Sequence, residues 1–107
     1  MAGIPATDVG RSLAWYERIL GRPPDVRPDR DEAGWHLSEG GRISVMRDPG
    51  HAGTAKITLV VEDLDGSLAA LAERGIEVGS VETVRGRVRK AVVLDPDGNR
   101  LVFAESV

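Results

Sequence analysis

No cysteine occurs among the 107 residues of this chain. That excludes disulfide bonds, thiolate metal ligands and a cysteine nucleophile, and it suits a reducing compartment. Aromatic side chains are scarce: two Trp, one Tyr and one Phe. The core must therefore be built mainly from Val, Leu, Ile and Ala. No apolar run approaches the roughly 20 residues of a membrane span. The opening "MAGIPATDVGRS" has neither the basic n-region nor the apolar h-region of a secretory signal. The expectation is a cytoplasmic protein without a membrane partner.

A dominant charge of one sign is lacking too. The net charge is −3, with acidic and basic residues interspersed, so no stripe suits a phosphate backbone. The densest basic run, "RGRVRK" at 85–90, reads as a charged strand edge that resists aggregation. Nucleic acid is not an expected partner. "SEGGRIS" reads as a hairpin turn and not as a phosphate loop.

What the chain does contain is a repeat. "DVGRSLAWYERILG", Asp8 to Gly21, aligns with "DLDGSLAALAERG", Asp63 to Gly75. The capping aspartates lie 55 positions apart, and Ser12, Leu13 and Ala14 match Ser67, Leu68 and Ala69 at that offset. Val9, Leu13, Tyr16 and Leu20 form one helical stripe, and Leu64, Leu68 and Leu71 repeat it. Each helix starts at an Asp that can bond free backbone N–H groups and ends near a glycine suited to a left-handed cap.

Strands flank both helices. "GIPATD" precedes the first, where Pro5 cannot donate to a ladder and so belongs at an edge or bulge. "AKITLVVED" precedes the second with clean alternation. After the first helix, "RPPDVRPDRDEA" reads as a proline-rich connection. "GWHLSEGGRISVMRD" then reads as a hairpin turning at Gly40–Gly41. After the second come strands near Val81–Arg85 and Arg89–Leu94, joined at Gly86. The turn Asp95–Asn99 leads to a last strand, Arg100–Glu105. The chain is one domain, 1–107, of two modules, 1–50 and 55–107, with a linker at about 49–54.

Two such βαβββ modules, with the "DVGRSLAWYERILG" helix and the closing "DPDGNRLVF", resemble the vicinal oxygen chelate superfamily. That group includes glyoxalases, extradiol dioxygenases and bleomycin-resistance proteins. The resemblance spans the whole chain. It implies an α+β fold: a cupped mixed sheet with helices on the convex face, two modules enclosing a cavity within one chain or across a homodimer.

Metal-dependent members place His, Glu or Gln on the cavity wall, from the first and last strand of each module. Mapped here, those positions fall on Met1, on Ser44 or (with a one-residue slip) Val45, on Lys56 and on Val102. An ammonium repels a cation and valine offers no lone pair, so the resemblance is expected to come without a metal or other cofactor. The "DPDGN" turn is not a calcium loop either. Its glycine comes too early, and no Glu follows where a bidentate ligand is needed.

The expected function is therefore metal-independent binding of a small organic molecule, apolar or aromatic, as in sequestration of a toxic metabolite or antibiotic. The candidate contacts are Trp35, Ser44, Met46, Lys56, Thr58 and Val102. Trp35 offers a flat ligand wall, Met46 and Val102 an adaptable apolar one, and Lys56 a partner for an anion or a base of lowered pKa. The competing reading is an enzyme, a glyoxalase-like lyase or isomerase or a dioxygenase. It would work with misplaced metal ligands or, metal-free, through Lys56 or His51. A third reading is an interaction module with a collapsed cavity. His36 and His51 share no ligand spacing, and Ser44 has neither a base partner nor a nucleophile elbow. Trp15, off the main stripe, suits packing or a subunit contact.

Overall fold

The computed structural model describes residues 2–37 and 41–106. The Met1 ligand position, Glu39 and the Gly40 part of the hairpin turn lie outside the described residues. The chain divides into two units, residues 1–55 with 95–99, and residues 56–94 with 100–107.

In the first unit the order is β1 (Ala2–Ala6), α1 (Val9–Leu20), β2 (Val26–Asp29), β3 (Glu32–His36) and β4 (Arg42–Arg47). In the second it is β5 (Lys56–Val60), α2 (Leu64–Glu73), β6 (Glu82–Val84), β7 (Val88–Leu94) and β8 (Arg100–Ser106). Each unit forms a four-stranded mixed sheet. The strand orders are β1-β4-β3-β2 and β5-β8-β7-β6, so the two orders are the same once corresponding strands are matched. In each, the first strand pairs parallel with the last and the remaining pairs are antiparallel. The repeat seen in the helices is thus a repeat of whole βαβββ modules.

The helix caps form as the sequence implies. Asp8 accepts a bond from the Arg11 N–H at 3.3 Å and Asp63 one from the Gly66 N–H at 3.0 Å. Gly21 closes α1 in the left-handed region at φ 75°, its N–H donating to the Glu17 carbonyl. β1 is an edge strand, which tolerates Pro5 because one row of its backbone groups needs no ladder partner. The β6–β7 turn takes Arg85 and Gly86 at φ 53° and 65°, the pair of positive dihedrals of a type I′ hairpin.

One expectation is corrected. The proline-rich stretch after α1 is not only a connection: Val26–Asp29 forms β2 and pairs with β3. Pro28 is tolerated there because β2 is the outer strand of its sheet.

α1 buries Val9, Ser12, Tyr16 and Ile19. Strand alternation and registry assign Ile4, Ala6, Ala33, Trp35, Ile43 and Val45 to the sheet face beneath α1, and all six are buried. The second unit packs Leu64 and Leu71 of α2 over the face carrying Leu101, Phe103, Ala91 and Val93. Asp65 on α2 is held by Arg89 at 2.8 Å, and the Leu64 N–H donates to Glu105 at 2.6 Å. These two bonds mark that face as the helix side.

The first unit also contains the turn Asp95–Asn99. The Asp95 carboxylate is 5 % exposed and accepts four bonds. Oδ1 takes the N–H groups of Asp97 and Asn99, each at 2.9 Å. Oδ2 takes the Tyr16 hydroxyl at 2.7 Å and the Asn99 side-chain amide at 2.8 Å. Asn99 also donates to the Pro5 carbonyl and accepts from the Ala55 N–H. Asp97 accepts from the Thr7 N–H at 3.2 Å and pairs with Arg11 at 3.0 Å. A buried carboxylate with a full set of donors is tolerated without a counter-ion.

Candidate functional site

The sheet faces turned away from the helices carry the candidate residues. In the first unit, Gly3 pairs with Ser44 and Ser44 with Gly34, while Pro5 and Glu32 flank Met46. Ser44 and Met46 therefore share the helix-distal face. Val45 pairs with Ile4 and Ala33 on the helix side and is fully buried. Of the two mapped positions, Ser44 therefore lies on the helix-distal face and Val45 on the helix side, since neighbours along a strand point to opposite faces.

Trp35 does not share that face, and its expected role as a ligand wall is corrected. Its registry partner is Ile43, on the helix side, and it is 0 % exposed. Its ring centroid lies 6.1 Å from that of Tyr16, and its indole N–H donates to the Arg22 carbonyl at 3.0 Å. It is a core residue with a satisfied polar tip. In a chain so poor in aromatics, the largest side chain went to the interior. Trp15 stacks edge-on against Tyr16 at 4.9 Å.

In the second unit, Thr58 pairs with Val102 and Val102 with Val92, while Lys56 pairs with Arg100. Lys56, Thr58 and Val102 thus lie together on the helix-distal face, with Val92, Leu94 and Lys90. Lys56 and Thr58 are exposed, and Val102 is only 4 % exposed. Val60 and Leu94 on the same face are exposed at 79 % and 59 %. Two adjoining hollows of about 280 and 370 Å³ both reach Val92, the strand neighbour of Val102. Lys90 and Arg100 line the smaller, and Leu94 and Val78 the larger.

The structure also points to Arg42, which sequence reasoning passed over. It lies two residues from Ser44 on the same face. A methyl group built on Gly34 would meet its guanidinium at 3.1 Å and the Ser44 hydroxyl at 3.4 Å. Arg42 therefore folds across Gly34. Its Nε is buried without a hydrogen-bond partner, and Glu32 stands 3.9 Å from its Nη2. The signal was the i, i+2 spacing from Ser44.

The histidines lie elsewhere. His51 is exposed, with Nδ1 3.0 Å from Asp48. His36 is exposed on β3, and its backbone N–H and carbonyl are engaged by Asp25 and Arg22. That backbone bond, with the Arg22 guanidinium, holds the Asp25 carboxyl below the usual carboxylate range.

A divalent ion on either face does not fit the donors present. The mapped position on the first unit's face offers a buried serine hydroxyl, and those on the second an ammonium group and a hydrocarbon, whereas a stable site needs several neutral or anionic N or O ligands converging. Among the described residues, no three His, Asp or Glu side chains gather as ligands would.

A mixed sheet ordered 1-4-3-2 beneath one helix, built twice in tandem, defines a class of paired βαβββ proteins. The chain belongs to the Glyoxalase/Bleomycin resistance protein/Dioxygenase superfamily, which matches residues 1–103. It is similar to the crystal structure of a glyoxalase / bleomycin resistance protein from Catenulispora acidiphila. The two are 44 % identical, with a TM-score of 0.92 over 99 % of this chain and 96 % of that one. It shares its fold with a bleomycin-binding protein solved with bleomycin, at 20 % identity and a TM-score of 0.83 over 100 % and 97 % of the two chains. The same holds for the bleomycin-binding protein of Streptomyces verticillus complexed with copper(II)-bleomycin, at 23 % identity, 0.81, and 99 % and 93 %. No curated protein matches the chain. No helix among the described residues is long and apolar enough to cross a membrane.

Proposed function

We propose that this chain is a metal-independent binding protein for a small organic molecule with an apolar or aromatic body, held on the helix-distal face of the second unit's sheet. The observation that carries the reading is Val102. It sits between Thr58 and Val92 on the helix-distal face, where metal-dependent relatives need a donor atom, and it contributes only hydrocarbon. Exposed Val60 and Leu94 continue the apolar surface, and Lys56, Lys90 and Arg100 edge it with positive charge. On the first unit's face, the half-buried Met46 and Arg42 offer an adaptable thioether and a guanidinium above the buried Ser44. The second unit's face suits a flat apolar body carrying an anionic group. Proteins of this fold that hold bleomycin support sequestration of a toxic metabolite or antibiotic as the biological setting; a homodimer in the cytoplasm is part of the same proposal.

The test has two stages. The purified protein is first exposed to nickel, manganese, zinc and ferrous iron, and native mass spectra are recorded. No stoichiometric, chelator-sensitive adduct is expected. One metal per site would overturn the reading in favour of a glyoxalase-like lyase or a dioxygenase. Aromatic ligands are then screened by amide NMR shifts, because Trp35 lies in the core and its fluorescence would not report on this face. Shifts clustered on Thr58, Val92 and Val102 are expected.

A second reading rests on Lys56, exposed on that face beside Thr58: a metal-free enzyme using Lys56, or the exposed His51, as acid or base. Turnover of a bound ligand that is lost in Lys56→Met or His51→Gln would favour it.

A further inference from the structure

A separate cavity of about 510 Å³ opens on the first unit, at the end of β4 and beside the β2–β3 turn. Arg27, Arg30 and Arg47 line it, with Thr7, Asp8 and Asp31. Arg47 continues the alternation of Ile43 and Val45, so it projects to the helix side of β4 and away from the Ser44 face. The cavity is therefore distinct from the surface described above.

Its frame is fixed by backbone bonds. The Arg47 N–H donates to the Asp31 carbonyl at 2.9 Å, and the Asp31 N–H to the Asp29 carboxylate at 2.7 Å. The Thr7 N–H is anchored on Asp97. Inside the cavity three arginines face two aspartates. On other surfaces Arg11 pairs with Asp97, Arg22 with Asp25, and Arg89 with Asp65 and Glu105. Among the described residues, none of Arg27, Arg30 and Arg47 forms an ion pair. Arg27 uses one N–H on the Arg30 carbonyl, at 3.3 Å. Asp8 is committed to capping α1. Asp31 is the one carboxylate left over, an acceptor waiting for a hydroxyl or an amine.

We propose that this cavity binds a phosphorylated small molecule. Three guanidiniums from two strands and a turn can approach a tetrahedral dianion from several directions, whereas one guanidinium fork satisfies a planar carboxylate. The volume lies within the range of about 300–1,000 Å³ typical of small-molecule sites and exceeds a bare phosphate. The rest of the ligand therefore carries an organic body whose hydroxyls meet Asp31 and Thr7.

The experiment is calorimetry on the full chain with inorganic pyrophosphate and with adenosine monophosphate, in about 0.15 M salt, where unspecific attraction is screened beyond about 8 Å. Phosphorus NMR line broadening provides a readout independent of heat. Saturable binding of one equivalent is expected. Arg47→Gln and the pair Arg27→Gln/Arg30→Gln should each weaken it roughly tenfold or more, the loss of a charge-assisted contact. These side chains are exposed, so the variants fold, and circular dichroism checks it. Arg87→Gln, in the β6–β7 turn, should change nothing. Absence of both heat and broadening would overturn the proposal, as would equal weakening by Arg87→Gln, which would mark a diffuse charge effect. The result is independent of the metal and ligand screens above.

Discussion

Tyr16 and Asp95 offer a direct test of the buried network. Tyr16→Phe removes one hydrogen bond to a carboxylate, of 2.7 Å. Three donors remain on Asp95, so the charge is not orphaned. The loss should be about 1.5–3 kcal/mol, the range for bonds to charged groups. Asp95→Ala is worse. It strips the acceptor from the phenol, the Asn99 amide and two backbone N–H groups at once, and should cost about 3–5 kcal/mol. The total stability of a domain this size is about 5–15 kcal/mol, so this variant keeps only part of it. In the double variant the phenol is absent and cannot be stranded. The combined cost should therefore fall short of the sum by about 1–3 kcal/mol. Guanidinium unfolding followed by tryptophan fluorescence, with Tyr16 4.9 Å from Trp15 and 6.1 Å from Trp35, gives all four corners of the cycle. Additivity within about 0.5 kcal/mol would refute the reasoning, because the bond would then carry no coupling.

The same phenol predicts an alkaline signature. Burial, then the nearby Asp95 charge, pushes its pKa well above the ordinary range. The folded state therefore holds its proton more tightly than the unfolded one. Its stabilisation is complete below the unfolded value of about 10 and is lost as pH rises beyond it. Tyr16 is the only tyrosine, so tyrosinate absorbance should appear together with unfolding; a gradual rise at native circular dichroism would contradict this. On the acid side, hydrogen bonding and charge from Arg89 lower the pKa of Asp65. That pairing is present above the unfolded carboxylate value and is lost as pH falls through the folded one. The melting temperature of Asp65→Asn should thus fall less steeply in acid than the parent's, and identical slopes would refute it. Gly53 sits at φ 88° with the Asp97 carbonyl oxygen 2.6 Å from any added Cβ. Gly53→Ala should cost more than about 1 kcal/mol in a denaturant titration, whereas Gly86→Ala, with open space around it, should be limited to the dihedral penalty.

Much of the fold was legible because local signals and the repeat agreed. Asp8, Asp63 and Gly21 announced the helix ends, and alternation from Lys56 to Val60 announced both faces of β5. β2 was missed because three prolines and a charge run outweighed any alternation, and only the outer position in the sheet makes Pro28 acceptable. Trp35 was misplaced for another reason. Its strand was found, but which of two alternating sets faces the helix depends on what packs above it, and the partner, Tyr16, is 19 positions upstream. For Arg42 the i, i+2 spacing from Ser44 gave only the face; its position over Gly34 depends on the absence of a side chain on the neighbouring strand. The cavity at Arg47 needed the fold itself, which brings 7, 27–31 and 47 together.

The closing "DPDGNR" explains how a family motif and a family chemistry can part. Asp95, Asp97 and Asn99 are engaged with Tyr16, Pro5, Thr7, Arg11 and Ala55. Every one of those partners lies within the first unit, and none of the bonds reaches the helix-distal face. The turn is therefore fixed by structural demands that do not change when the residue at 102 does. Val102 lies three positions beyond Asn99, on a face whose neighbours are Thr58 and Val92. Replacing a donor there alters what the face can hold without loosening the clamp. The turn thus serves the fold, and a shared fold does not by itself assign a function.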